Sequence, residues 1–245
     1  MSELKLGGDP DHERDRLDEA RLDTMLVAHA LWLSSAGDEG LRCELPGANL
    51  SYGGFLLANL RQAKLGGAQL FHANLRECDL SEADLTSADL RGANLVNGVL
   101  VGARLAGACL AQAIMPGANF EQADAQGASL RASNLLSANL VATDLREACL
   151  SDANLAGAVL RGSVLDDARL LDTKLMLADF SGASLRRAVL SRAVMFGAIL
   201  DEADLRGADL GDALGLTATQ LASAYGDTDT RLPAALAECR LRTKP

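Results

Sequence analysis

The sequence predicts an all-β solenoid, and three observations carry that reading. Bulky apolar residues recur every five positions, a small residue stands two places before each, and no insertion breaks the register over 34 consecutive pentads. An amphipathic helix repeats its apolar face every 3.6 residues and a strand every 2, so a period of five belongs to neither. A sustained internal period marks stacked units that bury their apolar faces only against their neighbours.

Taken in order, the central positions come first. From Leu45 to Leu210, leucine fills 28 of the 34 positions whose number is a multiple of five. The others are Phe55, Met115, Phe120, Ala125, Phe180 and Met195. Two residues earlier, 26 of 34 positions are alanine, and the rest are Cys, Gly, Ser or Thr. Each pentad therefore offers one bulky and one small inward side chain. The turns come next. Pro46-Gly47 and Pro116-Gly117 occupy the second and third positions of a four-residue turn, as a type II turn requires. Glycine fills that third position in 12 of 34 pentads; those corners are expected to be type II and the others to be different turns.

The recurring Ala-Asn-Leu and Ala-Asp-Leu units over residues 43–212 resemble the pentapeptide-repeat family. The resemblance implies a right-handed quadrilateral parallel β-helix with four pentads per coil. At about 4.8 Å between strands, it would form roughly eight and a half coils and a rod about 41 Å long.

Exposed edges at the ends of such a stack need covers. From Asp15 to Ser35, Leu22, Met25, Leu26, Trp32 and Leu33 recur near helical spacing, with Gly37 as a stop. This segment reads as an amphipathic helix that places Trp32 on the first coil near Phe55. Downstream, Thr217 and Gln220 have capping-box spacing ahead of Leu221 and Ala224, and Gly226 is expected to end that helix. The stretches HALWLSSAGDEGLRCEL and LTATQLASAYGDTDTRLPAAL resemble the segments that flank the coils in this family. The expected organisation is a disordered tail over residues 1–14, an N-terminal capping helix over 15–42, the β-helix over 43–212 and a C-terminal helical cap and tail over 213–245, so α-helical caps close both ends.

Composition narrows the function. A net charge of -10 disfavours nucleic acid and anionic lipid as direct partners. No apolar stretch is long enough for a membrane span and no secretory leader is visible. Five scattered cysteines offer neither a disulfide framework nor a zinc site, which points to the reducing cytoplasm. Cys109 and Cys149 would share an outer column two coils apart, beyond disulfide reach. His12, His29 and His72 form no constellation, and no phosphate loop, nucleophile elbow or metal motif is present. Acidic pairs such as Asp166-Asp167 and Asp201-Glu202 fall on corners facing water. The expectation is no enzyme, no cofactor and no metal.

The outer surface carries the functional reading. Leu56, Arg76, Val96, Pro116, Leu136, Ala156, Met176 and Phe196 follow one another at twenty-residue spacing, apolar in seven of eight. The adjoining face adds Val99, Val101, Val141, Val159 and Ile199. Val96, Val99, Val101, Leu136, Val141, Met176 and Phe196 are therefore the candidate partner-binding surface of a rigid protein-protein scaffold. The partner is an unspecified protein, a second copy in a homodimer being one candidate; stacked aliphatics satisfying one another, with Phe196 and Ile199 under the C-terminal cover, are the structural alternative. Some members of the family protect type II topoisomerases by resembling DNA, which makes DNA gyrase the alternative partner. Against it, residues 43–212 hold 20 acids and 14 bases, a net of -6, where 41 Å of duplex would carry roughly 24 negative charges.

One packing prediction follows. Phe120 and Ala125 are consecutive central residues, the one large where the other is small, and interiors tolerate conserved total volume better than added volume. Ala125→Leu alone should overpack the coil and lower unfolding stability in urea by about 1–3 kcal/mol.

Overall fold

The computed structural model describes residues 17 and 19–243; the tail expected over residues 1–14 lies outside them. From Glu44 onward, short parallel bridges recur every fifth residue and pair each segment with the one twenty residues later, Glu44 with Lys64 through Val194 with Leu214. Four bridge segments and four turns make one coil, so the stack is a four-sided β-helix. Its sides are numbered here by their first central residue: side one at Leu45, side two at Leu50, side three at Phe55 and side four at Leu60.

The interior follows the period of five. Every central residue from Leu50 to Leu210 is at most 3% exposed, Ala125 included. The small residues from Ala63 to Ala208 are buried beside them. Where the small residue is a hydroxyl, its donor is satisfied by a backbone carbonyl: Ser133 donates to Leu130, Ser163 to Leu160, and Thr143 to Phe120.

Backbone accounting explains the rest of the pentad. The central N–H donates across the coils, as Leu60 does to Asp79 O at 2.7 Å, and the small residue's N–H closes the turn, as Ala63 does to Leu60 O at 3.0 Å. The bridge residue donates in the opposite direction, as Asp79 does to Ala58 O. One donor remains without a coil partner, the N–H just after the central residue. All 16 asparagines and aspartates at bridge positions from Asn49 to Asp209 accept that N–H on Oδ1. The Asn/Asp preference before leucine is thus a solution for one orphan donor.

The corners differ from the sequence expectation. The third turn residue has positive φ at all 33 positions from 47 to 207, and only 12 of them are glycine. Leu57, Arg187, His72 and Glu202 adopt the left-handed region as Gly47 does. For a residue with a Cβ this costs about 1–2 kcal/mol. The offsetting gain is that residue's own N–H, which from 47 to 187 always donates to a carbonyl of the next coil, as in Tyr52 to Phe71 at 2.8 Å. Glycine matters where a neighbouring side chain needs the room: the His72 ring lies where a Cβ on Gly92 would stand.

The N-terminal helix α1 spans Glu19–Ser34, a run rich in Ala and Leu with no Gly or Pro. It ends where Ala36 and Gly37 both turn to positive φ and Gly37 N–H donates to Trp32 O. Leu22 is buried in the core and Leu26 packs against it. Its exposed face is mixed: Arg21, Asp23, Thr24 and Ser34 share it with Val27 and Leu31, which are 71% and 45% exposed. Trp32 does not close the core: its ring stacks on His29 and borders Asn59, Arg61 and Gln62.

At the other end, Thr217 and Gln220 form the capping box, yet helix α2 covers only Ala218–Leu221 and ends before Gly226. A single 3-10 turn follows at Ala234–Leu236. The segment instead extends the stack by bridges, Tyr225 on Asp204, Arg231 on Asp209 and Arg242 on Tyr225. The expected helical C-terminal cover is therefore mostly extended chain, because the exposed edge of the last coil offers more hydrogen bonds than a short helix does.

Two predictions rest on this framework. Asn94→Ala leaves the half-buried Val96 N–H without its acceptor and should cost about 1 kcal/mol in urea unfolding, with Asn94→Asp near neutral. The second concerns His29, fully buried between α1 and the first coil, whose Nδ1 accepts from Cys43 N–H and whose Nε2 meets Arg61 O, each at 3.0 Å. Nδ1 as acceptor requires neutral imidazole with the proton on Nε2. Burial, partly opposed by the Arg61 carbonyl and reinforced by nearby Arg42, holds its pKa below 6.5. The folded state thus resists a proton that the unfolded chain takes up, and stability present above pH 6.5 is lost as pH falls below it. Unfolding free energy from pH 7 to 5 should fall more steeply for the wild type than for His29→Gln.

Candidate interaction surface

Within each pentad the residues immediately before and after the central one point outward on the same side. Side three therefore carries two outward columns and a corner column. From Asn94 to Gly197 these eighteen positions hold a single charged residue, Lys174. Over about 24 Å of stack, the side presents Leu136 at 43%, Met176 at 38% and Phe196 at 58% exposure. Val96 is half-buried in the same column. Four of the seven candidate residues thus share one side.

The other three lie around the corner on side four. Val99 and Val101 flank the buried Leu100, and Val141 stands two coils further on, all half-buried. This side is mixed, for Glu121, Arg161, Asp201 and Glu202 share its outward and corner columns. Phe196 and Ile199, the latter 41% exposed, are not covered by the C-terminal segment; the Phe196 ring only rests on Gly215. Following a single column missed Ile114, Leu177 and Leu214, which are 45%, 70% and 53% exposed on side three. The signal for Ile114 and Leu214 was present, since a residue just before a central position shares the side of the residue just after it.

The remaining sides are charged and internally paired. Arg187 holds Asp167, Arg192 holds Asp172 and Arg161 holds Asp179, and each arginine draws its partner's carboxyl below the usual range. For Asp179 the larger influence is burial, which acts upward, but the Ser181 and Arg161 hydrogen bonds outweigh it. Asp166 accepts from the Ser184 hydroxyl and from Arg186 N–H. The acidic corner pairs are engaged in the stack and leave no acid-base dyad.

All five thiols are free, and Cys109 and Cys149 are separated by Ser129 in one bridge column. Burial pushes the Cys43 thiol up to about 11 and Cys78 to about 12, so neither is a nucleophile at neutral pH. His72 is exposed on its corner with Nδ1 against Gly92 O. Among the described residues no group of His, Cys, Asp and Glu could hold a metal ion, and no helix is long and apolar enough to cross a membrane.

The profile described as Pentapeptide repeats (8 copies) matches in overlapping segments from residue 58 to 212. HetL, a pentapeptide-repeat protein involved in heterocyst differentiation regulation in the cyanobacterium Nostoc sp. strain PCC 7120, is 34% identical over 80% of this chain and 94% of its own, with a TM-score of 0.41. A pentapeptide-repeat protein of the Arabidopsis thaliana thylakoid lumen is 30% identical over 39% of this chain and 67% of its own, with a TM-score of 0.39. QnrB1, a plasmid-mediated fluoroquinolone resistance protein, is 18% identical over 76% of this chain and 92% of its own, with a TM-score of 0.34. Comparison with curated proteins gave no match. With its repeats matched over more than half its length and its coils stacked at twenty-residue spacing, the chain belongs to the pentapeptide-repeat family.

Proposed function

We propose that this protein is a non-enzymatic scaffold whose third side is a rigid contact surface for another protein, with α1 and the C-terminal segment serving to close the stack. The observation that carries the reading is the contrast between sides: three are laced with ion pairs along their length, whereas beyond its Arg76–Glu77 pair the third exposes large apolar side chains with one charge in the eighteen positions from Asn94 to Gly197. Desolvating such a side costs little, because few polar groups lose water without a replacement. The half-buried valines of side four extend the same patch around the corner.

DNA mimicry finds less support. A mimic needs unpaired negative charge along its length, yet at least 13 of the 20 acids in residues 43–212 are in ion pairs with Arg or Lys. The stack spends its acids on its own arginines.

Leu136→Glu and Met176→Glu place a carboxylate on an exposed surface, so the thermal midpoint should stay within a few degrees of wild type. Sedimentation equilibrium and affinity capture should show self-association or partner binding falling at least tenfold. Unchanged association in both variants would overturn the reading. In a gyrase supercoiling assay, excess protein should leave quinolone inhibition unchanged; protection would favour the mimic instead.

A further inference from the structure

Side three comprises eight complete pentads, with central residues from Phe55 to Met195, bridged without a break from Gly54 to Val194. Its first coil adds Leu56 and Leu57, 53% and 66% exposed, and its eighth adds Phe196 at 58%, so the side is apolar at both ends. Its charges are few and lie in two places. Arg76 and Glu77 pair with each other at 3.1 Å in the second coil. Lys174, exposed in the seventh, has Asn154 and Val194 as bridge neighbours and no ion pair among the described residues.

Pitch and flatness select what can cover this side. Outward side chains repeat along each column at about 4.8 Å, and eight coils extend for about 38 Å. The turns of a helix laid along a column repeat at about 5.4 Å, so its contacts drift by about one coil over that length. A second β-stack of the same pitch stays in step with all eight coils, as sheets do when they pack face to face. Four positions wide, the side offers roughly 500 Å² per copy and about 1,000 Å² for a pair, the lower bound of a specific interface.

We infer that side three docks against side three of a second copy, with the two stacks antiparallel about a two-fold axis lying along the strands. The inference rests on the reading of this side as a contact surface, and it names the partner. Such an axis sets like columns opposite one another, the first coil against the eighth and the second against the seventh. The register that overlaps all eight coils is therefore the same one that brings Lys174 onto the coil of Glu77. Lys174 faces Asn74, and Glu77 stands about 10 Å away across the strands, a gap that the two long side chains span together. A shift of one coil either way would leave Lys174 opposite Asn94 or Gly54, in coils whose outward positions hold no acid. Parallel stacks would bring the two copies of Lys174 to the same level, like charge beside like. In the antiparallel register Val96 faces Ala156, Phe196 faces Leu56 and Leu136 faces Pro116, with both Leu136 side chains beside the axis. A large apolar residue at the centre of an interface is where binding energy concentrates.

The test is sedimentation equilibrium of the full chain from about 5 µM to about 500 µM, a range suited to an interface of this size. Wild type should populate a dimer, and Leu136→Glu, which sets two carboxylates at the axis, should remove it. Lys174→Glu and Glu77→Lys should each weaken the dimer about tenfold. An equimolar mixture of those two variants should recover wild-type association, because each contact between the copies then joins opposite charges. Thermal unfolding of every variant checks that the stack is intact. A chain that stays monomeric throughout, or a dimer whose charge variants are not rescued by mixing, would overturn the inference. The third-side reading is judged apart from it: a monomeric chain that loses capture of a different protein on Leu136→Glu would overturn self-docking and leave that reading standing.

Discussion

The hydrogen bond from each corner N–H to the coil above governs this molecule. It is a backbone interaction, so it makes no demand on the side chain that hangs from the corner. It holds Leu57, His72 and Arg187 at positive φ alike, at a local cost that an isolated turn would not meet. Because the next coil repeats the geometry, the constraint propagates along the stack. Inward positions are then fixed by volume, and outward ones are left free for charge pairing or for contact.

That division explains which features were legible in the sequence. Leucine and alanine columns reveal themselves because the interior admits little else; their period identifies a solenoid, and the four-sided coil came from the family resemblance. The corners were misread because turn type was inferred from glycine. Glycine reports the intrinsic preference of one residue, while the observed φ is imposed by the stack. The C-terminal segment failed for a related reason. Thr217 and Gln220 do specify a helical start, but the open edge presented by Asp204 and Asp209 recruits the following chain into bridges. Local signals were correct about nucleation and silent about the competition.

The candidate surface was half legible. Twenty-residue spacing aligned Val96, Leu136, Met176 and Phe196, since a column follows once four pentads make a coil. A side, however, is two columns and a corner, and Ile114, Leu177 and Leu214 became visible only when the coil was closed. Charge partitioning was hidden further. Arg192 with Asp172 and Arg187 with Asp167 are pairs at a separation of twenty, which no local scan connects. Such pairs lie on sides one, two and four, while side three carries Arg76 with Glu77 in its second coil and, from Asn94 to Gly197, only Lys174.

Ends pose the remaining problem for any stack of this kind, because every added coil recreates the edge it has just covered. The C-terminal solution is to keep pairing with less regular chain until the edge is short. The N-terminal solution is different: α1 crosses the mouth and is tied at Asn49 through Leu17 and at Arg61 through His29. A helix cannot satisfy strand groups on all four sides at once, because its own backbone bonds are internal. What it contributes at the mouth is apolar cover, with Leu22 buried in the core and Leu26 packed against it. Closing a β-stack with a helix therefore buries apolar surface at the mouth without continuing the bridge pattern, whereas closing it with extended chain continues the bridges.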